Sequence, residues 1–357
     1  MTTTLMASSL LVIAFTLLSF LRLPFWWIRI FDFPRVQIAV LGTILLLGQF
    51  LLLDATSTVD IVWLTSLALC TSYQWLRVLP FTRLSRPQSL KAKCFSPDHS
   101  ISILVANVYM ENRDVQSLLS ELERFSPDLL LFLETDEWWD RALRTLKDSF
   151  PFAVRHPLAN TYGMILYSRF PLENSKVEFL IEDDVPSIRT QVILPCGQKV
   201  WFQGLHPRPP VPTEALESAE RDGELLLVGR RVGQDLRPTI VAGDLNDVAW
   251  SFAVSLMRRL GGLLDPRIGR GLFSTFHAST PYFRWPLDHI FHSDHFQLVA
   301  LRRFPNVGSD HFPFYAHLTL TAEDLKEQGV PEPRVGDFEL AREMIEEAQK
   351  IDSERTL

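Results

Sequence analysis

Three apolar stretches in the first 81 residues leave this chain few ways to fold. Residues 5–21 and 36–53 run 17 and 18 residues without a charge. Residues 61–76 add 16 more and extend to residue 81 if Arg77 turns its head group to water. A helix needs about 20 mainly apolar residues to cross about 30 Å of hydrocarbon. Each stretch approaches that length, so transmembrane helices are predicted at about 5–21, 36–53 and 61–81. Trp26 and Trp27 between the first two, and Trp63 and Trp75 near the ends of the third, suit the membrane interface. A cleaved signal peptide is the competing reading of the first stretch. Against it, residues 1–9 contain no Lys or Arg, and two further apolar stretches follow.

Charge divides the chain at the same place. Residues 1–94 hold eight basic and three acidic residues, leaving −12 of the −7 total on residues 95–357. Arg22, Arg29 and Arg35 lie in the first connector, Asp54 and Asp60 in the second, and Arg83, Arg86, Lys91 and Lys93 after the third stretch. Positive-inside reasoning then places the first connector and everything after the third helix in the cytoplasm. The acidic remainder argues against nonspecific binding to a polyanion. Cys70, Cys94 and Cys196 are too few and too scattered for a disulfide framework or a structural zinc site.

Residues 82–100, with Pro87, Pro97 and scattered basic residues, read as a linker. Beyond it, apolar runs alternate with helical patterns. Strands are predicted at 101–106, 128–133, 164–167, 200–205, 239–242, 289–292, 297–301 and 314–320. Asp114 caps a helix whose Val115, Leu118, Leu119, Leu122 and Phe125 share one face, and a second helix is predicted from about 214 to 232. This is an α/β (α+β) domain over 101–321. Residues 322–357 change character, with eleven acidic and five basic residues, and read as an acidic, partly helical tail with Phe338, Ala341, Ile345 and Ala348 on one face.

The chemistry lies where polar residues terminate apolar strands. Asn107, Glu134 and His206 each follow a predicted strand, Asp244 and Asn246 follow another, Asp288 precedes one, and Asp310–His311 follow Gly308–Ser309. Singly, each has a plainer reading. Asn107 and the Asp244-Leu-Asn246 segment could be turns, Glu134 with Asp136 and Glu137 a solvated helix start, His206 before Pro207 structural, and Asp310–His311 a capped loop. Their ordered occurrence over some 200 residues is what carries weight. His277, His289, His292 and His295 fit no common zinc spacing and read as structural.

The strings ILVANVYMEN (103–112), PDLLLFLET (127–135), GLHPRPP (204–210), IVAGDLND (240–247), PLDHIF (286–291) and GSDHFP (308–313) resemble the endonuclease/exonuclease/phosphatase superfamily over about residues 101–320. The likeness is greatest to a bacterial membrane-anchored branch. The resemblance implies a four-layer sandwich of two packed β-sheets flanked by helices, here preceded by three transmembrane helices, in a bacterial inner membrane. It also implies a metal-dependent phosphoester hydrolase. Glu134 would be the main metal ligand, with Asn107 and Asp310 contributing. Oxygen ligands favour Mg²⁺, with Mn²⁺ as the substitute. Asp244 would orient or deprotonate the attacking water, and Asn246 would donate to a phosphate oxygen. His311, its tautomer fixed by Asp288, would contact the phosphate. His206 would assist the phosphate or leaving group, and Arg208 would touch an anionic substrate.

Helices and a short linker keep such a site near a lipid bilayer, which favours a lipid-linked or other membrane-associated phosphate or pyrophosphate. A nuclease acting on DNA or RNA is the alternative, opposed by the −12 charge and the lack of a basic, aromatic-interleaved stripe. A catalytically inactive membrane scaffold is the third reading, opposed by the complete set of acidic and histidine positions.

Overall fold

The computed structural model describes residues 2–21, 23–52, 57–321 and 328–356. Arg22 and Asp54 of the loop charge bias, and the first residues of the acidic tail, lie outside them. The apolar stretches form α1 (Thr2–Leu18), α3 (Arg35–Leu52) and α4 (Thr58–Val78), with the four-residue α2 (Trp26–Arg29) between the first two. Ser57 and Asp60 start α4 with a reciprocal capping box. Val12, Ile38, Leu45 and Leu67 pack the three helices together. Polar groups between them are paired across helices: Gln49 donates to Ser9 at 2.5 Å, Gln74 to Thr16 at 2.9 Å and Arg35 to Gln74 at 3.0 Å.

The expectation of three transmembrane helices is corrected. Among the described residues one helix, α3, is long and apolar enough to cross a membrane. The 17 residues of α1 rise only about 25 Å at about 1.5 Å each. The 21 residues of α4 are long enough, but Asp60, Gln74, Arg77 and several Ser and Thr dilute its apolarity. Arg77 does not snorkel; its guanidinium donates to the Trp250 carbonyl of the following domain. Arg29 and Arg35 are also spent internally, buried in ion pairs with Asp222 and Asp32. The charge bias that set the orientation therefore loses two of its terms.

The rest of the chain forms two mixed sheets. β1 (Ser100–Asn107), β2 (Leu129–Leu133), β3 (Phe152–His156), β4 (Met164–Ser168), β10 (Phe296–Arg303) and β11 (Phe314–Leu320) build one, ordered β10-β11-β1-β2-β4-β3. β5 (Leu172–Phe179), β6 (Pro186–Ile193), β7 (Lys199–Leu205), β8 (Thr239–Asp244) and β9 (Asp288–His292) build the other, ordered β5-β6-β7-β8-β9. Ile103, Leu131, Phe202, Ile240 and Phe314 are among the side chains that fill the space between the sheets. α5 (Val115–Phe125) and α6 (Glu137–Ala142) cover the outer face of the first sheet. α7 (Ala219–Gln234) and α8 (Phe252–Gly261) cover that of the second.

Each sheet has one central parallel pair, β1–β2 and β7–β8. Parallel strands end at the same edge, and the antiparallel neighbours β11 and β9 begin there. That shared edge is where the polar strand-end residues collect. Gly243 makes the second pair possible. Its φ is +150°, and a Cβ there would lie 1.9 Å from the Leu205 carbonyl oxygen, so only glycine fits.

Several boundaries differ from the sequence reading. α7 begins at Ala219 rather than near 214, because Pro209, Pro210 and Pro212 hold the preceding segment out of helix. β3, β5 and β6 escaped it, as did α6 and α8. Residues 82–100 are packed rather than loose. Ser89 bonds the His292 ring at 2.8 Å, and the Leu90 carbonyl and Ala92 amide bond Leu298 at 2.8 and 2.9 Å. The last helix, α9 (Asp337–Thr356), buries Ala341, Ile345 and Ala348 against α7 and α8, while Phe338 stays exposed.

Candidate active site

β1, β2, β7 and β8 deliver Asn107, Glu134, His206 and Asp244 to one edge, and the starts of β9 and of the turn before β11 bring Asp288 and His311. The Asn107 amide joins the two sheets, donating to Glu134 Oε1 at 2.7 Å and to Asp244 Oδ2 at 3.2 Å. Its Oδ1 accepts the Tyr109 amide at 3.0 Å, which fixes the side chain's orientation. Glu134 Oε2 accepts the Met110 amide at 3.2 Å. Glu134 has a left-handed backbone, φ 59°, and so does Asn246, φ 49°. Such conformations cost energy for residues other than glycine and cluster at functional sites.

Asp244 lies at the centre. Its Oδ2 is 3.5 Å from His311 Nε2 and 4.0 Å from His206 Nε2, and its Oδ1 accepts the Asn246 amide at 2.9 Å. His311 Nδ1 donates to Asp288 Oδ2 at 2.8 Å, so Asp288 sets the tautomer and leaves Nε2 facing the site. Thr275 Oγ1 accepts the Asp288 amide at 3.1 Å, and Ser309 Oγ accepts that of His311 at 3.0 Å while donating to the Asn107 carbonyl at 2.8 Å. Thr275 and Ser309 are supporting residues that the sequence did not single out. Among the described residues, the group of three whose ligand atoms come within 4.8 Å of one another is Asp244, Asp288 and His311. With Nδ1 committed to Asp288, that group is better described as a carboxylate-held imidazolium than as a metal cage.

The electrostatics separate the groups. Burial disfavours charge on His311, but Asp288 and Asp244 outweigh it and lift its pKa to about 10. Burial depresses His206 to about 4, since only one distant carboxylate opposes it, and its Nδ1 has no partner. Glu134 is pushed up to about 7 by burial, against the Asn107 hydrogen bond and the charge of His311. Asp244 is likewise raised by burial. Asp310 is close enough to influence both Glu134 and His311.

These shifts bear on a cation. Glu134 is a half-buried carboxylate whose charge is under-compensated by its neighbours, with the Asp310 carboxylate near enough to act on it, while Asn107 turns its N–H groups toward Glu134 and its Oδ1 toward the Tyr109 amide. That hard, anionic donor set fits a divalent ion such as Mg²⁺.

Two expected contributors differ in placement. The Asn246 amide donates to the Pro207 carbonyl at 2.9 Å, which leaves one N–H for a ligand. Arg208 is not brought into the cluster. Its guanidinium contacts Glu182 at 2.7 Å, Asp184 at 2.8 Å and Glu214 at 3.5 Å, in a separate acidic recess. His289 and His292 are buried and separately bonded, to Asp247 and Ser293 carbonyls among others.

Among solved structures, a humanized D. rerio TDP2 carrying 14 mutations is 16% identical over 62% of this chain and 99% of its own, with TM-score 0.49. The Bacteroides vulgatus endonuclease/exonuclease/phosphatase gives 17%, 62%, 99% and 0.49. That of Beutenbergia cavernae gives 16%, 62%, 72% and 0.48. No curated protein matches. The Endonuclease/Exonuclease/phosphatase family matches residues 104–311, more than half of the chain and every position of the cluster just described. The chain belongs to that family, whose members are metal-dependent hydrolases of phosphoester bonds.

Proposed function

We propose that this protein hydrolyses a phosphoester presented at a membrane surface, with a lipid-linked or other membrane-associated phosphate or pyrophosphate as substrate. The observation that carries the reading is the union of a hydrolytic cluster with an apolar helical unit. Of 35 exposed large hydrophobic residues among those described, 23 lie between Met6 and Leu79. Apolar surface on that scale marks a membrane or protein contact. The helices are also fixed to the catalytic domain. Trp26 N–H donates to the Leu216 carbonyl at 3.0 Å and Ser218 N–H to the Pro24 carbonyl at 2.8 Å.

Glu134 and Asp310 would hold Mg²⁺, or Mn²⁺ in its place, and Asn107 would join them once its amide turns the oxygen toward the ion. When bound, the ion neutralises charge on the phosphate and on the leaving oxygen. Asp244 orients the attacking water and takes its proton, aided by Asn107, which keeps the carboxylate in place. Protonated His311 donates from Nε2 to a phosphate oxygen, and Asp288 holds the opposite nitrogen. The free N–H of Asn246 reaches a second phosphate oxygen. Neutral His206 assists the phosphate or leaving group from the other side of Asp244.

The test uses the purified full-length chain in phospholipid vesicles with Mg²⁺, assayed against phospholipids, polyprenyl pyrophosphate and plasmid DNA. Hydrolysis of a lipid phosphoester, lost in Asp244→Asn, is expected. Plasmid cleavage without lipid hydrolysis would replace this reading with the nuclease one. No hydrolysis with either Mg²⁺ or Mn²⁺ would favour an inactive scaffold.

A further inference from the structure

The catalytic cluster does not face open water alone. A cavity of about 760 Å³ leads away from His311 and Asn246 into the junction between the catalytic domain and the helices. That volume lies within the roughly 300–1,000 Å³ typical of small-molecule sites. Near the cluster its walls are Phe276, Trp285 and Leu287; at the far end they are Val12 and Phe15 of α1 with Ile38 and Leu41 of α3. Arg29 and His311 are the only lining side chains that bear charge. The Arg29 guanidinium is engaged by Asp222 at 3.1 Å and by Asp32 at 3.8 Å, so it offers the cavity mainly its aliphatic stem.

Leu11, Ile30 and Leu41 line the cavity and are also exposed, at 52%, 50% and 44%. They belong to the same outer surface as the other exposed apolar side chains of the helices. The passage is therefore continuous from the hydrolytic cluster to the face that the proposed function turns toward lipid.

The geometry points to this cavity as the binding site for the hydrocarbon chain of the substrate, entering sideways between α1 and α3 while its phosphoester rests at His311 and Asn246. The inference rests on the phosphoesterase reading and assigns its substrate class: an amphiphile with a phosphate head and a long straight or isoprenoid chain. A nucleic acid fits poorly, because its sugars and bases would meet Phe, Trp, Leu and Pro with almost no polar partner. A chain that leaves bilayer for this cavity stays in an apolar medium, and the phosphate alone changes surroundings.

Two homologous series test it with the full-length protein and Mg²⁺: alkyl p-nitrophenyl phosphates and alkyl monophosphates, each from methyl to hexadecyl, with farnesyl esters as the branched arm. The expected result is a rise in kcat/KM of at least about 100-fold from methyl to the long chains, as burial of several methylenes implies. Leu41→Trp narrows the passage at an exposed position, so it leaves the fold intact. It should cut the long-chain value about tenfold and lower that of the methyl ester far less. Ile38→Phe is the second variant. A photoactivatable alkyl phosphate should label α1 and α3 in the wild type and label Leu41→Trp less. Robust hydrolysis with no dependence on chain length, or equal loss for methyl and hexadecyl esters in Leu41→Trp, would overturn the cavity assignment and leave the phosphoesterase reading standing. No hydrolysis of any ester would overturn both. A preference for farnesyl over hexadecyl, or the reverse, identifies which chain type the cavity takes.

Discussion

Asn246 and Asp247 are neighbours in the chain, yet they serve two buried charge clusters of opposite construction. On the Asn246 side, the carboxylates of Glu134, Asp244, Asp288 and Asp310 surround His311, the one basic group there that carries its proton strongly. Burial raises Glu134 and Asp244, and Asp288 Oδ1 has no partner. On the Asp247 side, Arg29, Arg35 and Arg221 face Asp32, Asp222 and Asp247, and none is more than 6% exposed. Arg221 spans Asp222 at 2.8 Å and Asp247 at 3.2 Å, and also donates to the Asn246 carbonyl at 2.7 Å. Burial alone would weaken its charge, but Asp247 and Asp222 more than restore it. One cluster is balanced within itself. The other is left with excess negative charge, which suits a cation.

The contrast is open to attack, and the largest effect should come from the unbalanced side. His311→Ala and Asp244→Asn should each lower turnover by about 10³–10⁴-fold in vesicle hydrolysis assays. Asp244→Asn should at the same time hold or raise Tm, because it removes a buried, poorly compensated charge. A large fall in Tm would mean that the cluster is structural. Chelation by EDTA should abolish turnover, and added Mg²⁺ should restore it. The balanced side should behave in reverse. Asp222→Ala leaves Arg29 and Arg221 short of a partner in the interior and should cost about 3–5 kcal/mol of stability, read as a drop in Tm in detergent. An unchanged Tm would show that this network is dispensable.

A pH-dependent effect sharpens the rule at a third place. Glu224 on α7 is buried with Oε1 unpaired, and burial with the nearby charge of Glu182 pushes its pKa up to about 8. The folded state thus holds a proton that the unfolded chain releases above about 4.3. Its stabilising contribution is complete below that value and lost as pH rises through about 8. Glu224→Gln should therefore exceed the wild type in Tm by a margin that grows from pH of about 5 to about 8. A constant margin would sink the assignment.

Much of the first cluster was legible because its members end or begin apolar strands, and a strand end is a local signal. The parallel pairs β1–β2 and β7–β8 then place those ends together. The second cluster had no such signal. Arg29 and Asp222 are 193 positions apart, and nothing local marks either as a partner. β5 was invisible for a different reason. As an edge strand reading Leu-Glu-Asn-Ser-Lys-Val-Glu-Phe, it is half solvated and lacks an apolar run. The sequence reading overcounted the membrane spans, because it accepted the 17-residue α1 and passed over the Asp60, Gln74 and Arg77 that dilute the apolarity of α4. Arg208 looked available for substrate only until the acidic residues of the 182–184 and 214 regions were folded beside it.

The indole of Trp250 donates to the Asp32 carbonyl at 2.7 Å, and around it Val78 and Phe81 pack with Val248, Ala249 and Leu287. These contacts make the start of the chain part of the same cooperative unit as the GDLND loop. Cutting the chain near residue 95 would not release an independent head from its tether. It would remove one wall of a hydrophobic core, uncover Trp250 and take Arg29 away from Asp222 together. The helices and the hydrolytic domain should therefore melt as one transition, and the catalytic loop inherits its rigidity from the segment that composition alone would have assigned to anchoring.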